Sequence, residues 1–158
     1  MNPQTGVASP SQESVRENSR TIHWEQIAVL YARLALGTAF LSAVASRFGL
    51  WDRTFDLKHF AGFMEYAAEV NSFLPKAAIP YVAWVATVCE TSLGILLILG
   101  LRLRWTALAS AALLAMFATA MAISFGLKSP MDYSVFSASS AALLLALWSF
   151  RQPNVRNR

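Results

Sequence analysis

One stretch constrains the fold more than any other. Residues 78–99, AIPYVAWVATVCETSLGILLIL, are almost unbroken apolar sequence with a single carboxylate, Glu90, near the middle. A helix of about 22 residues spans a hydrocarbon core of about 30 Å. A carboxylate at that depth costs roughly 2.5–3.5 kcal/mol on insertion scales, so it normally faces the protein interior and has a partner. The stretch therefore predicts a membrane helix with a polar group directed inward.

Three more apolar stretches, 27–46, 105–125 and 133–150, predict further transmembrane helices. The chain is 56% hydrophobic and 14% charged, whereas soluble domains average about 45–50% and about 25%. A soluble core of this size could not cover so much apolar side chain. The sequence predicts an all-α, integral membrane four-helix bundle, with one membrane domain over residues 23–150.

The segments outside the spans differ in character. Residues 1–22 are polar without apolar periodicity, which predicts a disordered cytoplasmic tail rather than a signal peptide. Residues 52–77 repeat apolar side chains every three or four positions, as at Phe60, Phe63 and Ala67. That pattern predicts an additional amphipathic interfacial helix between spans 1 and 2, which lies on the bilayer or caps the bundle. Residues 151–158 form a short basic tail.

The distribution of Lys and Arg predicts the orientation. With four spans, both termini and the turn at 100–104 lie on one side, which holds seven Lys and Arg residues against five on the other. Short basic loops favour the cytoplasmic side. We expect a multi-pass protein of the bacterial cytoplasmic (inner) membrane, N-in and C-in, with the 52–77 helix on the outer face.

Arg33 is the other ionisable residue inside an apolar stretch. In antiparallel helices Arg33 and Glu90 would lie at similar depth, which favours an ion pair between them. Such a pair is either a device that fixes how two helices meet, or a polar site for a proton, a quinone headgroup or a small anion. Alternatively, Arg33 extends unpaired to the interface.

Polar and small residues near the pair complete the candidate site. Thr87 and Thr91 border Glu90, and Ser137 lies in the hydroxyl-rich first half of the fourth span, where tight packing is the simpler explanation. Gly37 and Gly94, each one turn beyond a charged residue, allow close helix packing. The ligand-binding candidates are thus Arg33, Glu90, Thr87, Thr91 and Ser137.

Several kinds of chemistry are not expected. Cys89 is the only cysteine, which excludes an internal disulfide, a CxxC pair and a cysteine-ligated metal site. Nothing in the sequence has the spacing of a metal site or the basic, aromatic pattern of a nucleic-acid interface. No catalytic residues can be assigned, so the chain is not expected to be an enzyme on its own. No motif encodes a cofactor. A quinone is the one cofactor that the polar site between the helices suggests.

Three stretches resemble the DoxX family of small bacterial membrane proteins, over residues 27–148. They are ARLALGTAFLSAVASRFGLW, VATVCETSLGILLILGLRLRW and KSPMDYSVFSASSAALLLAL. The shared features are an Arg early in the first span and Glu-x-x-x-Gly in the second. The family often has a basic residue near the end of the first span, where this chain has Arg47.

The resemblance implies an accessory subunit of a quinone-linked or oxidative-stress redox system. The expected partners are the lipid bilayer, a redox partner protein and a second copy of the chain. A related branch supports disulfide formation in methylamine dehydrogenase maturation, a role set aside here because the chain has one cysteine. The alternatives are a non-enzymatic membrane scaffold and a protein that binds or transports a small solute or lipid; unbroken spans argue mildly against transport.

Overall fold

A computed structural model describes residues 10–52 and 56–152, with side chains from residue 23 onward. The predicted tails, 1–22 and 151–158, lie partly outside these residues. The described residues contain helices and short 3₁₀ turns but no strand. The helices are α1 (Pro10–Arg47), α2 (Leu57–Val70), α3 (Ile79–Leu99), α4 (Leu103–Phe125), α5 (Lys128–Asp132) and α6 (Val135–Arg151).

The chain divides into two contact units, one up to Tyr31 and one from Ala32 onward. The described part of the first unit is the beginning of α1. The second contains the rest of α1 and all other helices. The helix contacts that form the candidate site all lie within the second unit.

Three helical segments are long and apolar enough to cross a membrane, by length and composition: His23–Arg47, Lys76–Leu99 and Leu103–Phe125. The all-helical membrane architecture is therefore confirmed. The fourth apolar helix, α6, has 17 residues, or about 26 Å of length. Its length does not establish a fourth span, so the four-helix membrane bundle remains a prediction.

The amphipathic segment between the first two spans forms α2, which is shorter than the sequence pattern suggested. Asp56 caps its N-terminus by accepting a hydrogen bond from the Lys58 backbone N–H at 2.9 Å. Its apolar face buries Phe60, Ala67 and Val70, and the helix packs against α3 and α4. A position of α2 at the membrane surface stays a prediction.

Helices α4 and α6 pack closely against each other along their length. Both helices bury small side chains, including Ala111 on α4 and Ala142 on α6. Close approach of small residues is how membrane helices gain packing energy without a hydrophobic driving force. The Ser139 hydroxyl on α6 adds a hydrogen bond to the Ala111 carbonyl at 2.9 Å. The serine-rich start of α6 is thus used partly for helix packing.

Candidate functional site

The centre of the site is a buried ion pair between α1 and α3. Arg47, the last residue of α1, donates a hydrogen bond from Nη2 to Glu90 Oε1 at 2.7 Å. Its Nη1 donates to the Thr87 hydroxyl at 3.0 Å. The side chains of Arg47 and Glu90 are only 11% and 2% exposed. Charge-assisted hydrogen bonds of this kind are the strong ones in protein interiors.

The second carboxylate oxygen of Glu90, Oε2, is buried and makes no hydrogen bond within the part of the chain that the structure describes. Such an acceptor is rare in folded proteins, because removing it from water without replacing its hydrogen bonds costs free energy. The position beside Oε2 is therefore where a hydrogen-bond donor from outside the chain would be stabilised.

Glu90 and Arg47 line a cavity of about 360 Å³. A dry cavity of roughly 150 Å³ already holds a benzene ring, so a small ring compound fits. The walls come from five helices and are largely apolar. They include Leu36 and Phe40 on α1, Phe63 and Tyr66 on α2, Ala83 and Ala86 on α3, Phe117 and Met121 on α4, and Val135 on α6.

Helix α2 covers the ion pair. The Arg47 guanidinium lies 3.8 Å from the centre of the Phe63 ring, in a cation–π contact. Phe63 packs against Phe60, whose ring also contacts Phe48 and Trp84. The aromatic cluster holds α2 over the pair, and this cover reduces the access of water to it.

Two tyrosines, Tyr66 and Tyr133, also line the cavity and are themselves exposed. Partial burial raises the pKa of the Tyr66 phenol above its usual value, and the neighbouring Tyr133 and Glu69 raise it further. The Tyr66 hydroxyl therefore stays protonated and neutral at physiological pH. The cavity combines a charged, buried end with phenolic groups near the protein surface.

Arg33 does not form the ion pair predicted from the sequence. Its Nε donates to the Leu97 carbonyl and its Nη2 to the Ile98 carbonyl, each at 3.0 Å. Those carbonyls belong to the last turn of α3, where backbone acceptors lack helical partners and a cation is favourable. Gly100, with φ +68°, follows directly, and a Cβ there would overlap the Arg33 guanidinium. Arg33 thus caps α3, while Arg47 pairs with Glu90.

Of the other candidates, Thr87 contacts the ion pair, and none of Thr87, Thr91 and Ser137 belongs to the cavity lining. Thr87 holds Arg47 and donates its own hydroxyl to the Ala83 carbonyl at 2.8 Å. Thr91 donates to the Thr87 carbonyl at 2.7 Å and does not line the cavity. Ser137 is exposed and lies outside the cavity lining.

Gly37 and Gly94 lie against each other across α1 and α3. A Cβ on Gly37 would come within 2.9 Å of the Gly94 carbonyl oxygen, and a Cβ on Gly94 within 3.1 Å of the Gly37 carbonyl oxygen. This backbone contact lies about one turn from Glu90 along α3, and it sets the register of α1 and α3.

Among the described residues, no group of three or more His, Cys, Asp and Glu side chains could hold a metal ion. The side chains that could hold a ligand are those of the cavity. Arg47 is the functional candidate that sequence reasoning missed as a partner for Glu90. The available signal was the basic residue expected near the end of the first span.

Fold and site together define a multi-pass helical membrane protein with a buried, half-satisfied carboxylate beside an apolar cavity. Residues 25–150 match the sequence model of a protein family, MauE, described as methylamine utilisation protein MauE. The chain belongs to the MauE family. No curated protein and no solved structure matches the chain.

The family match corrects the resemblance to DoxX, which was wrong. The stretches that suggested DoxX are rich in Ala, Gly, Ser and Leu. Tightly packed membrane helices in general select small and apolar residues. Such stretches indicate a membrane bundle but do not separate one family of bundles from another.

Proposed function

We propose that this protein is a membrane accessory protein of a methylamine-utilisation redox system, with the Glu90 cavity as its ligand site. The observation that carries the proposal is the MauE family match, which covers the helices from residue 25 to residue 150 and includes both members of the ion pair. The protein acts in the bilayer with a redox partner protein.

The unpartnered oxygen favours a ligand site over a purely structural role. A pair that serves only to fix helix register gains most when every polar atom of both side chains is satisfied, because half-satisfied buried networks are costly. Here Glu90 Oε2 has no hydrogen-bond partner among the described residues, and Glu90 lines an open cavity. That combination supports binding over the scaffold alternative.

The cysteine content limits which chemical steps this chain can carry out without its partner. Cys89 is the only cysteine and is half-buried on α3. A chain with one thiol cannot form an internal disulfide. Any thiol–disulfide step in the maturation of methylamine dehydrogenase therefore belongs to a partner, and this chain contributes a membrane site.

The proposal includes a four-span topology in the cytoplasmic membrane, with both termini inside. In this arrangement α6 is the fourth span and α2 lies at the outer surface. The 17 residues of α6 are at the lower end of the length range of spanning helices. The short basic turn at 100–104 supports the cytoplasmic side for that end of the bundle.

Deletion and re-supply of the gene in its native host tests the proposal. We expect the wild-type protein to restore growth on methylamine, and Glu90→Gln to fail although the protein accumulates in the membrane. Glu65→Gln, which removes an exposed carboxylate from α2, is the matched control and restores growth. Growth on a non-amine carbon source with ammonium remains unchanged throughout.

Two results would contradict the proposal separately. Normal growth of the deletion strain on methylamine removes the role in methylamine utilisation. Full restoration by Glu90→Gln removes the cavity from that role and leaves the family assignment intact.

A further inference from the structure

The chemistry of the cavity specifies the class of ligand, which the proposed function leaves open. The relevant observations are the charge balance of the buried pair, the unpartnered Glu90 Oε2, and the apolar walls. The inference rests on the proposed function in one respect, because it takes the Glu90 cavity to be the ligand site.

The first step concerns charge. A guanidinium carries one positive charge, and the Glu90 carboxylate, 2.7 Å from the Arg47 guanidinium, balances that charge. The pair as a whole adds no net charge to the cavity. A charged ligand would be an uncompensated ion in apolar surroundings, which costs several kcal/mol or more. The cavity therefore selects neutral molecules, and the small anion considered from the sequence does not fit.

The second step concerns hydrogen bonding. Glu90 Oε1 already accepts a hydrogen bond from Arg47, and Oε2 is buried with no partner among the residues that the structure describes. An ionised carboxylate only accepts hydrogen bonds. The ligand must therefore bring an O–H or N–H. A molecule that offers only carbonyl or ether oxygens would place its lone pairs against those of Oε2.

The third step concerns shape. The cavity has about 360 Å³ of space, and Phe40, Phe63 and Phe117 contribute aromatic walls to it. Such walls suit a ring or chain that is mostly apolar and has one polar end.

We propose that the Glu90 cavity binds a neutral, largely apolar molecule that donates a hydroxyl or N–H hydrogen bond to Glu90 Oε2. A hydroquinone and a hydroxyl-bearing lipid share this chemistry. A quinone, which has only carbonyl acceptors at its polar end, is bound weakly. The site is thus selective for the hydrogen-bond-donating form of a molecule over its non-donating counterpart.

Matched probes that differ in one donor test this selectivity. Full-length protein in nanodiscs is dialysed to equilibrium with 4-butylphenol or 4-butylanisole, and binding to empty nanodiscs is subtracted. We expect the phenol to bind roughly 10- to 100-fold more tightly, since a hydrogen bond to a charged group is worth about that factor. Equal binding of the two probes, or no binding of either, would overturn the proposal.

Two variants link the preference to the carboxylate. In Glu90→Gln an amide can donate to either probe, so the preference falls to within about threefold. In Arg47→Met/Glu90→Met the pair is replaced by apolar side chains of similar length, a change that buried pairs often tolerate. This double variant binds both probes equally. A phenol preference that survives in either variant contradicts the assignment to Glu90.

Further probes separate the sources and test the neutrality. Tetramethylhydroquinone and tetramethylbenzoquinone, compared under anaerobic conditions, form the ring arm; dodecanol and dodecyl methyl ether form the chain arm. Tighter binding of the hydroquinone than of the quinone identifies the ligand as a ring compound with a hydroxyl. Tighter binding of dodecanol than of its ether identifies it as a lipid with a hydroxyl. Displacement of the phenol by methylammonium, a charged donor, would overturn the requirement for a neutral ligand.

These results are independent of the growth test. Selective binding together with normal growth of Glu90→Gln would leave the ligand class standing and remove its link to methylamine utilisation. Loss of growth in Glu90→Gln without probe selectivity would support the link to methylamine utilisation and remove the proposed ligand class.

Discussion

At the scale of single residues, removal of one partner of the Arg47–Glu90 pair destabilises the protein more than removal of both. Removal of one partner leaves a buried, uncompensated charge. We expect Arg47→Met to lower the free energy of unfolding by roughly 3–5 kcal/mol, and Arg47→Met/Glu90→Met to regain most of that loss. Denaturant unfolding in mild detergent, followed by circular dichroism, measures both.

The double-mutant cycle gives this prediction its control. If the losses from Arg47→Met and Glu90→Met simply add in the double variant, the two side chains are not coupled. In that case the 2.7 Å contact has no energetic weight. Lys58→Met, which removes an exposed cation from α2, should change stability by less than about 0.5 kcal/mol.

At the scale of helices, the contact between α1 and α3 rests on the absence of side chains at Gly37 and Gly94. A Cβ on Gly37 would lie 2.7 Å from Ile98 Cγ1 and 2.9 Å from the Gly94 carbonyl oxygen. The backbone atom cannot move without separating the helices. We expect Gly37→Ala to destabilise the protein by roughly 1–2 kcal/mol, the cost of overpacking less the gain in helix propensity.

Gly62 provides the matched control for this substitution. It lies within α2, and a Cβ there would meet nothing within 4 Å. Gly62→Ala should therefore stabilise the protein by about 0.5–1 kcal/mol through helix propensity alone. Thermal unfolding of the two variants side by side tests the packing argument. Equal effects at Gly37 and Gly62 would show that the helices do not approach as closely as the structure has them.

Helix existence was predictable from the sequence, whereas helix register was not. The predicted segment 78–99 corresponds to α3, Ile79–Leu99, since apolar composition and Gly100 define the element locally. The Arg33–Glu90 pair was inferred by counting depth from assumed helix ends. The contact of Gly37 with Gly94 instead puts Leu41, about one turn further along α1, nearly level with Glu90.

This register explains why Arg47 is the partner. Arg33 lies eight residues before Leu41 on α1, about 12 Å along the axis, and Arg47 lies six residues after it, about 9 Å. The nearer arginine reaches Glu90 with its long side chain, and the further one meets the carbonyls of Leu97 and Ile98. Such an offset depends on how the glycines pack, which no single-helix pattern contains.

At the scale of the whole molecule, hydropathy determined the class of protein and little beyond it. Apolar stretches predict spans because every membrane helix must bury its backbone polar groups internally. The cavity is different, since α1, α2, α3, α4 and α6 all contribute walls to it. The unsatisfied oxygen of Glu90 is likewise a property of packing. Neither could be read from the order of residues.

The topology is also a property of the whole molecule, and the number of spans depends on whether α6 crosses the membrane. Starting from Cys89→Ala, single cysteines are introduced as Lys58→Cys, Arg102→Cys, Lys128→Cys and Gln152→Cys, all at exposed positions. With four spans and both termini inside, an impermeant maleimide added to intact cells labels the variants at 58 and 128. Those at 102 and 152 react only after the membrane is opened.

Each departure from that pattern has one structural meaning. Labelling at 152 with protection at 102 would show that α6, with its 17 residues, does not cross the bilayer and that the protein has three spans. A complete inversion would place both termini outside and contradict the charge argument. Protection at 58 would place α2 away from the outer surface. Since α2 covers the Arg47–Glu90 pair through Phe63, labelling at 58 would show that the cavity opens towards the outer side of the membrane.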